Sequence, residues 1–384
     1  MSSSSARPYY PTLDSLRGIC AVLVALFHLR ANSHFELLPL VRNGWLFVDF
    51  FFVLSGFVIA ENYRGRLSTG EVTIRRFIWL RLARLYPLHL FMLLMFIATE
   101  YALSAVHAAM RSGVREPFTG SRSLDLLPEN LLLLQSFGFS GMLSWNGPAW
   151  SISAEFWTYC LFALLFAAGA LSRAAWFALC LAGAPLAIFA LHGPSIALEA
   201  DGGILRCLFG FGAGVLLSRL RWPQSLPQSV CTYGELPVAL LMLAFVNYAP
   251  GWDLTLAAPM IFAAVVTVFA QGSGPLSRHL GGEIFLFLGM LSYSIYMVHI
   301  YVHARFKNAG VLAEKFTGVP LFLDAERALF GATLWAGDIF VAAMLITTIA
   351  VSFATWKLIE KPGQAVMLGV NKKSSRTVSR GSSN

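Results

Sequence analysis

The first apolar segment of the chain carries an arginine and a histidine whose spacing lets both face one cleft. Arg17 and His28 are eleven positions apart, which on an α-helix returns to within about 20° of the same face, and Asp14 lies about 40° from that line. The helical rise separates Arg17 from His28 by about 16 Å, so the two side chains do not hold the same atom. We expect Arg17 to hold the polar part of an extended ligand and His28 to meet its reactive end.

Each of these two residues also has a simpler interpretation. Arg17 would satisfy the preference for cations at the cytoplasmic end of a membrane helix without binding any ligand. His28 would be explained by a hydrogen bond to a neighbouring helix, although an ionisable group inside an apolar span is a functional candidate by default.

Two arginines just before the third apolar segment form a possible phosphate site. Arg81 and Arg84 are three positions apart and therefore neighbours on one helix face, a fork that suits phosphate oxygens. Topology or anionic lipid headgroups would also require cations here. We favour phosphate binding for this pair and lipid headgroups for the other cations of this region, which are Arg64, Arg66, Arg75 and Arg76.

A serine, a carboxylate and aromatic side chains add further polar groups inside apolar segments. Ser55 precedes Gly56, and ordinary small-residue helix packing is the favoured interpretation of that pair. Glu155 lies about two turns into a helix that opens near Trp150, and a carboxylate there needs a cation or a proton. We expect His28 to be its partner.

Aromatic and imidazole groups lie on one face near the end of the ninth apolar segment. Tyr296, His299 and His303 follow helical i, i+3, i+7 spacing. His299 is a candidate for contact with a substrate, although a histidine near a helix end is also explained by contact with water.

The elements that must position these side chains are membrane helices. Of the 384 residues 57% are hydrophobic and 12% charged, and the mean hydropathy is +0.66, which excludes a water-soluble domain. Continuous apolar runs of roughly 20 residues recur along the chain and predict helices rather than a barrel. The five cysteines are scattered and form no disulfide framework or zinc spacing. The predicted fold class is all-α, a polytopic transmembrane helix bundle.

The bundle is predicted to have about ten spans, with both termini in the cytoplasm. That orientation places most cations inside, so topology explains the net charge of +8 without nucleic acid. The sixth and seventh spans are short, and either is a candidate for a re-entrant or tilted piece. The predicted spans are 13–31, 45–62, 86–106, 148–168, 174–191, 204–218, 235–249, 254–271, 284–303 and 336–356.

The chain divides into a transmembrane domain, residues 1–363, and a basic cytoplasmic tail, residues 364–384, predicted to be disordered. The outer loop from about 107 to 147 contains Leu131–Leu134 and Trp145, which are too apolar for a free loop. We expect this loop to lie along the membrane interface or to fold back as a lid.

The order of these features resembles the acyltransferase-3 family of integral membrane O-acyltransferases, whose members acetylate O-antigen, exopolysaccharide and peptidoglycan. Each motif is weak alone, but six in the family's order cover nearly the whole chain. The segments that carry the resemblance are Leu13–Gly18 with His28, Phe51–Phe57, Arg81-x-x-Arg84-x-x-Pro87, Trp150–Ser153 with Glu155, Ser292-Tyr293-x-x-Tyr296-x-x-His299, and Glu360–Pro362.

The resemblance implies a stand-alone O-acetyltransferase of the bacterial cytoplasmic membrane. Its donor would be cytoplasmic acyl-CoA, by preference acetyl-CoA, and its acceptor a hydroxyl of an envelope or exported glycan or glycolipid. Membrane lipids are the other expected partners, and no metal is expected. The acyl group, the acceptor and the oligomeric state stay open.

As a hypothesis, neutral His28 takes the hydroxyl proton while Glu155 holds the imidazole. Direct transfer and an acyl intermediate on Ser55 or Tyr296 both remain open.

A proton-coupled transporter or glycan flippase is the alternative function, although no inverted repeat is visible in the sequence. The predicted site residues are His28, Arg17 and Glu155 for catalysis, Arg81, Arg84 and Ser55 for the donor cofactor, and Tyr296, His299 and Trp150 for the substrate.

Overall fold

The computed structural model describes residues 9–110, 116–221, 226–324 and 329–369, which are mainly helical. A short antiparallel hairpin pairs β1 (Phe322–Asp324) with β2 (Leu329–Phe330). The helices are α1 (Pro11–His28), α2 (His34–Leu37), α3 (Pro39–Arg42), α4 (Phe47–Ser68), α5 (Ile74–Met110), α6 (Leu127–Leu131), α7 (Ala149–Ala167), α8 (Ala170–Ala178), α9 (Ala184–His192), α10 (Gly203–Leu220), α11 (Gln228–Tyr248), α12 (Ala258–Phe269), α13 (Pro275–Leu280), α14 (Glu283–Thr317), α15 (Leu334–Thr355) and α16 (Lys361–Met367).

Short 3-10 and π-helical turns join or extend several of these helices. The π-helical turn Leu179–Gly183 joins α8 to α9, and the π-helical turn Trp356–Glu360 joins α15 to α16. The 3-10 turns are Gly44–Leu46, Gly120–Arg122, Leu124–Leu126, Ala249–Trp252 and Thr255–Ala257.

Nine helical segments of the described chain are long and apolar enough to cross a membrane, and a shorter apolar helix, Thr255–Phe269, falls where the eighth span was predicted. The all-α polytopic bundle is therefore confirmed. The expectation of short sixth and seventh spans is wrong, because α10 has 18 residues and α11 has 21. The short helix is α12, with 12 residues.

Glycines set the closest helix crossings. A Cβ atom added at Gly18 of α1 would overlap the backbone of Gly289 in α14, and one added at Gly289 would overlap the carbonyl of Asp14. Gly56 of α4 and Gly214 of α10 make a second such crossing. Small residues let helix backbones approach this closely, so the packing interpretation of Gly56 is confirmed. The first crossing also holds Arg17 against α14.

We expect Gly289→Ala to lower the free energy of unfolding by about 1–3 kcal/mol, because the added methyl group must push two backbones apart. Gly65→Ala is the matched control, since a Cβ at Gly65 meets nothing within 4 Å. Alanine is the better helix former, so the control should unfold at the wild-type temperature or slightly above it. Thermal unfolding in detergent measures both, and equal midpoints for the two variants would contradict the crossing argument.

Part of the loop before α7 packs against the bundle, so it is not a free loop, as its apolar residues predicted. Leu133 and Trp145 are each 1% exposed. The carbonyl of Leu133 accepts hydrogen bonds from Ser153 Oγ at 2.6 Å and from Trp157 Nε1 at 2.8 Å. The start of α7 is thereby fixed. Residues 111–115 of this loop and residues 370–384 of the predicted tail lie outside the described residues. Residues 364–367, which the prediction assigned to a disordered tail, are helical and belong to α16.

Candidate active site

A cavity of about 190 Å³ lies among α1, α4, α5, α7 and α14, and we call it the arginine cavity. It brings together six of the nine predicted site residues with further hydroxyl groups. Its polar lining residues are Arg17, Ser55, Arg81, Arg84, Ser151, Glu155, Tyr159, Ser292, Tyr293 and Tyr296. Two more of the nine, His28 and Trp150, line the neighbouring cavity described below.

Two of the three arginines in this cavity are neutralised by carboxylates of the chain. Arg17 Nη2 lies 3.2 Å from Asp14 Oδ1, and its Nε donates to Ser292 Oγ at 2.8 Å. Arg84 forms an ion pair with Glu360, which is 2% exposed and also accepts from Ser294 Oγ at 2.7 Å. These contacts fix both guanidinium groups in place.

Arg81 is the cavity arginine with an uncompensated charge. Its Nη2 donates to Tyr63 Oη at 3.2 Å, and its guanidinium lies over the rings of Tyr63 and Phe77. Within the described chain no carboxylate pairs with it, and its buried Nε has no hydrogen-bond acceptor. A buried donor of this kind fits an anionic ligand such as a phosphate group.

Ser55 and Glu155 are joined through a tyrosine that the sequence analysis did not single out. Ser55 Oγ lies 2.6 Å from Tyr159 Oη, and that hydroxyl donates to Glu155 Oε1 at 2.5 Å. Because the hydrogen of the Tyr159 hydroxyl is used in the bond to Glu155, the Ser55 hydroxyl is the donor in its bond with Tyr159. This chain of hydrogen bonds orients all three groups along one wall of the arginine cavity.

A second cavity of about 140 Å³, which we call the histidine cavity, neighbours the first. Val48 and Tyr296 line both cavities, so the two meet at these side chains. The remaining lining residues of the histidine cavity are His28, Trp45, Leu143, Gly147, Pro148, Trp150, Glu199 and Ile300.

His28, the last residue of α1, lines this cavity, and one of its ring nitrogens has no hydrogen-bond partner among the described residues. Its Nδ1 lies 2.9 Å from the carbonyl of Val24, which can only accept, so Nδ1 carries the proton. His299 Nε2 lies 3.2 Å from the same Nδ1 and accepts as well, since His299 Nδ1 faces the carbonyl of Ile295 at 3.2 Å. His28 Nε2 is left with a lone pair, as a general base requires.

The structure corrects the expected pairing of His28 with Glu155. The two residues line different cavities, and Glu155 bonds Tyr159 whereas His28 bonds Val24 and His299. His299 also differs from its predicted place against a substrate. It is 0% exposed and does not line either of the described cavities. Its contact is with the His28 ring, through Nδ1 of His28.

A buried ion pair holds the aromatic walls of the histidine cavity. Arg206 Nε and Nη2 donate to the two oxygens of Asp49 at 3.0 and 2.8 Å, and the two residues are 1% and 0% exposed. The guanidinium lies between the indole rings of Trp45 and Trp150, 5.1 and 5.4 Å from their centroids. The sequence signal for this pair is the position of both charged residues inside apolar spans.

We expect Asp49→Asn to lower the free energy of unfolding by about 3–5 kcal/mol, because it leaves the Arg206 charge buried without a counter-charge. Glu71→Gln is the matched control, since its ion pair with Arg66 is exposed and contributes little. Thermal unfolding in detergent checks both. An Asp49→Asn protein as stable as the control would contradict the structural role of the pair.

Glu199 is a lining residue that no sequence pattern indicated, because it lies in the irregular segment between α9 and α10. Burial raises the pKa of its carboxyl group above the usual value, while the Arg206 guanidinium acts in the opposite direction. Its carboxylate faces the same small cavity as His28.

Comparison with known proteins identifies the family. The acyltransferase domain family, acyltransferase-3, matches residues 10–357. "Protein 2 in picA locus" of Rhizobium radiobacter is 31% identical over 163 residues, 40% of this chain and 80% of that protein. "Acyltransferase MdmB" of Streptomyces mycarofaciens is 32% identical over 166 residues, 41% of this chain and 39% of that protein. No solved structure is significantly similar. The chain therefore belongs to the acyltransferase-3 family and is a multi-pass membrane acyltransferase.

Proposed function

We propose that this protein transfers an acetyl group from cytoplasmic acetyl-CoA to a hydroxyl of an envelope or exported glycan or glycolipid, across the bacterial cytoplasmic membrane. The observation that carries the proposal is the meeting of the two cavities at Val48 and Tyr296. One cavity holds arginines for an anionic donor, and the other holds the free nitrogen of His28. Both chain termini lie on the cytoplasmic side in this proposal, with the arginine cavity facing the cytoplasm.

The donor binds in the arginine cavity, with its phosphate groups near Arg81. Arg17 and Arg84 add positive charge there, although Asp14 and Glu360 neutralise part of it. The flexible arm then passes Ser55 and Tyr159 toward the junction of the cavities. The separation of about 16 Å between Arg17 and His28 along α1 gives the room that an extended donor needs.

The acceptor hydroxyl enters the histidine cavity and donates its proton to His28 Nε2. Its oxygen attacks the thioester carbonyl at the junction, the carbon–sulfur bond breaks, and the protonated imidazole returns the proton to the leaving thiolate. His299 and the carbonyl of Val24 keep the His28 ring in the required tautomer. Direct transfer fits best, because Ser55 is seven positions, about 10 Å of helix, from Val48 at the junction. The Tyr296 hydroxyl, which does lie at the junction, already donates to the carbonyl of Pro148 at 3.1 Å and accepts from Ser151 Oγ at 2.8 Å.

The test uses purified full-length protein with acetyl-CoA labelled in the acetyl group. The acceptor is the glycan fraction of the producing strain, deacylated with mild alkali. We expect release of free coenzyme A thiol together with label in the glycan. A proton-coupled carrier or flippase would release no thiol, and that result would refute the proposal. Mass spectrometry of glycans from strains with and without the chain identifies the natural product.

A further inference from the structure

The segment between α9 and α10 is fixed on both sides of Glu199. Ile196 N donates to Thr255 Oγ1 at 3.0 Å, and the carbonyl of Leu198 accepts from Arg206 Nη1 at 3.4 Å. Farther along, Gly203 N donates to the carbonyl of Glu199 at 3.0 Å. The backbone that carries this carboxylate is therefore held against the bundle, and the side chain enters the histidine cavity from a fixed position.

The carboxylate of Glu199 has no hydrogen bond or ion pair with the described part of the chain. The guanidinium that acts on its charge is that of Arg206, but four of the five Arg206 N–H donors already bind the two oxygens of Asp49 and the carbonyls of Trp45 and Leu198. An ionised carboxylate accepts up to about four hydrogen bonds and donates none. The carboxylate oxygens of Glu199 are therefore available to accept hydrogen bonds from a ligand in the histidine cavity.

The other walls restrict the chemical class of that ligand. Trp45, Trp150 and Tyr296 present aromatic surface, and the remaining lining is mostly apolar. Aromatic faces pack well against the C–H groups of a saturated ring, while Glu199 requires hydrogen-bond donors. A cationic ligand would satisfy Glu199, but it would oppose the positive charge that His28 acquires during proton transfer. A neutral ring with several hydroxyl groups fits this lining, because its C–H groups pack on the aromatic faces and its hydroxyl groups donate to Glu199.

We infer that Glu199 binds the acceptor, which is a neutral polyhydroxylated ring such as a sugar, through a hydroxyl neighbouring the one that reacts at His28. This inference rests on the proposed function and deepens it. Glu199 positions the acceptor and takes no proton in the reaction, so its loss should weaken acceptor binding more than turnover.

The experiment measures acetyl transfer from labelled acetyl-CoA to the deacylated glycan fraction by the purified full-length chain. We expect Glu199→Gln to raise the KM for the glycan roughly 10- to 100-fold, because the substitution removes hydrogen bonds between the acceptor and a charged carboxylate. The kcat at saturation and the KM for acetyl-CoA should stay within about threefold of wild type. Asp201→Asn is the matched control, because Asp201 is an exposed carboxylate two residues away, and it should behave as wild type.

The possible results distinguish a failure of the Glu199 assignment from a failure of the proposed acyl transfer. An unchanged glycan KM in Glu199→Gln, with wild-type transfer intact, would overturn the role of Glu199 and leave the acyltransfer proposal standing. Equal losses toward glycan and acetyl-CoA, together with a lower unfolding temperature, would assign Glu199 a structural role and also overturn the inference. Absence of transfer by the wild-type protein would refute the proposed function, and the inference would fall with it.

Discussion

Replacing His28 with alanine should lower the kcat for acetyl transfer by about 10²- to 10⁴-fold, the usual contribution of a positioned general base. The loss arises because Nε2 of His28 is the unprotonated ring nitrogen on the histidine cavity. The KM for acetyl-CoA should change little, since the arginine cavity stays intact. Steady-state transfer of labelled acetyl groups to the deacylated glycan measures both constants.

Two further variants sharpen this test. His28→Gln can keep a hydrogen bond to the Val24 carbonyl but cannot take up a proton at neutral pH, so it should be as inactive as the alanine variant. His192→Ala removes an exposed histidine at the end of α9 and should retain full activity. Normal turnover by His28→Ala at normal expression would eliminate the base assignment.

Much of the bundle followed from the sequence, because apolar run length reports directly on membrane spans. The limits of those spans were less accurate where helices continue beyond the apolar run. The third predicted span began at residue 86, whereas α5 begins at Ile74 and includes Pro87 within the helix. Charged residues such as Arg75 and Arg76 extend the helix without adding apolar length, so hydropathy alone underestimates it.

The separation of Arg17 from His28 was readable from the sequence because both lie on one helix, where rise and angle are fixed. The structure places them on consecutive cavities, as the predicted division between a polar and a reactive end of one ligand requires. Their roles in binding and catalysis stay predictions.

The error about Glu155 has a physical origin. Position along a helix gives depth in the membrane but not the neighbour that a side chain meets across the bundle. Tyr159, one turn farther along α7, meets the carboxylate of Glu155 instead of His28. Glu199 was unpredictable for a different reason, since an irregular segment has no periodicity from which to read the direction of a side chain.

The second large effect is expected at Arg81. Arg81→Gln should raise the KM for acetyl-CoA about 10- to 100-fold, because charge-assisted hydrogen bonds to phosphate contribute about 1.5–3 kcal/mol. The kcat at saturating donor should stay close to wild type, since Arg81 contacts Tyr63, which lies fifteen positions, about 22 Å of helix, from Val48 at the cavity junction. Arg84 is a poorer test, because Arg84→Gln would also leave the buried carboxylate of Glu360 unpaired and destabilise the protein.

Arg75→Gln is the matched control for Arg81, because Arg75 is an exposed arginine of the same helix outside the arginine cavity. Coenzyme A itself is the binding probe, and its effect on the unfolding temperature should be reduced in Arg81→Gln but not in Arg75→Gln. Loss of the shift in both variants would point to general attraction by the basic surface. Loss in neither would remove Arg81 from the donor site, and the uncompensated charge in the cavity would then need another ligand.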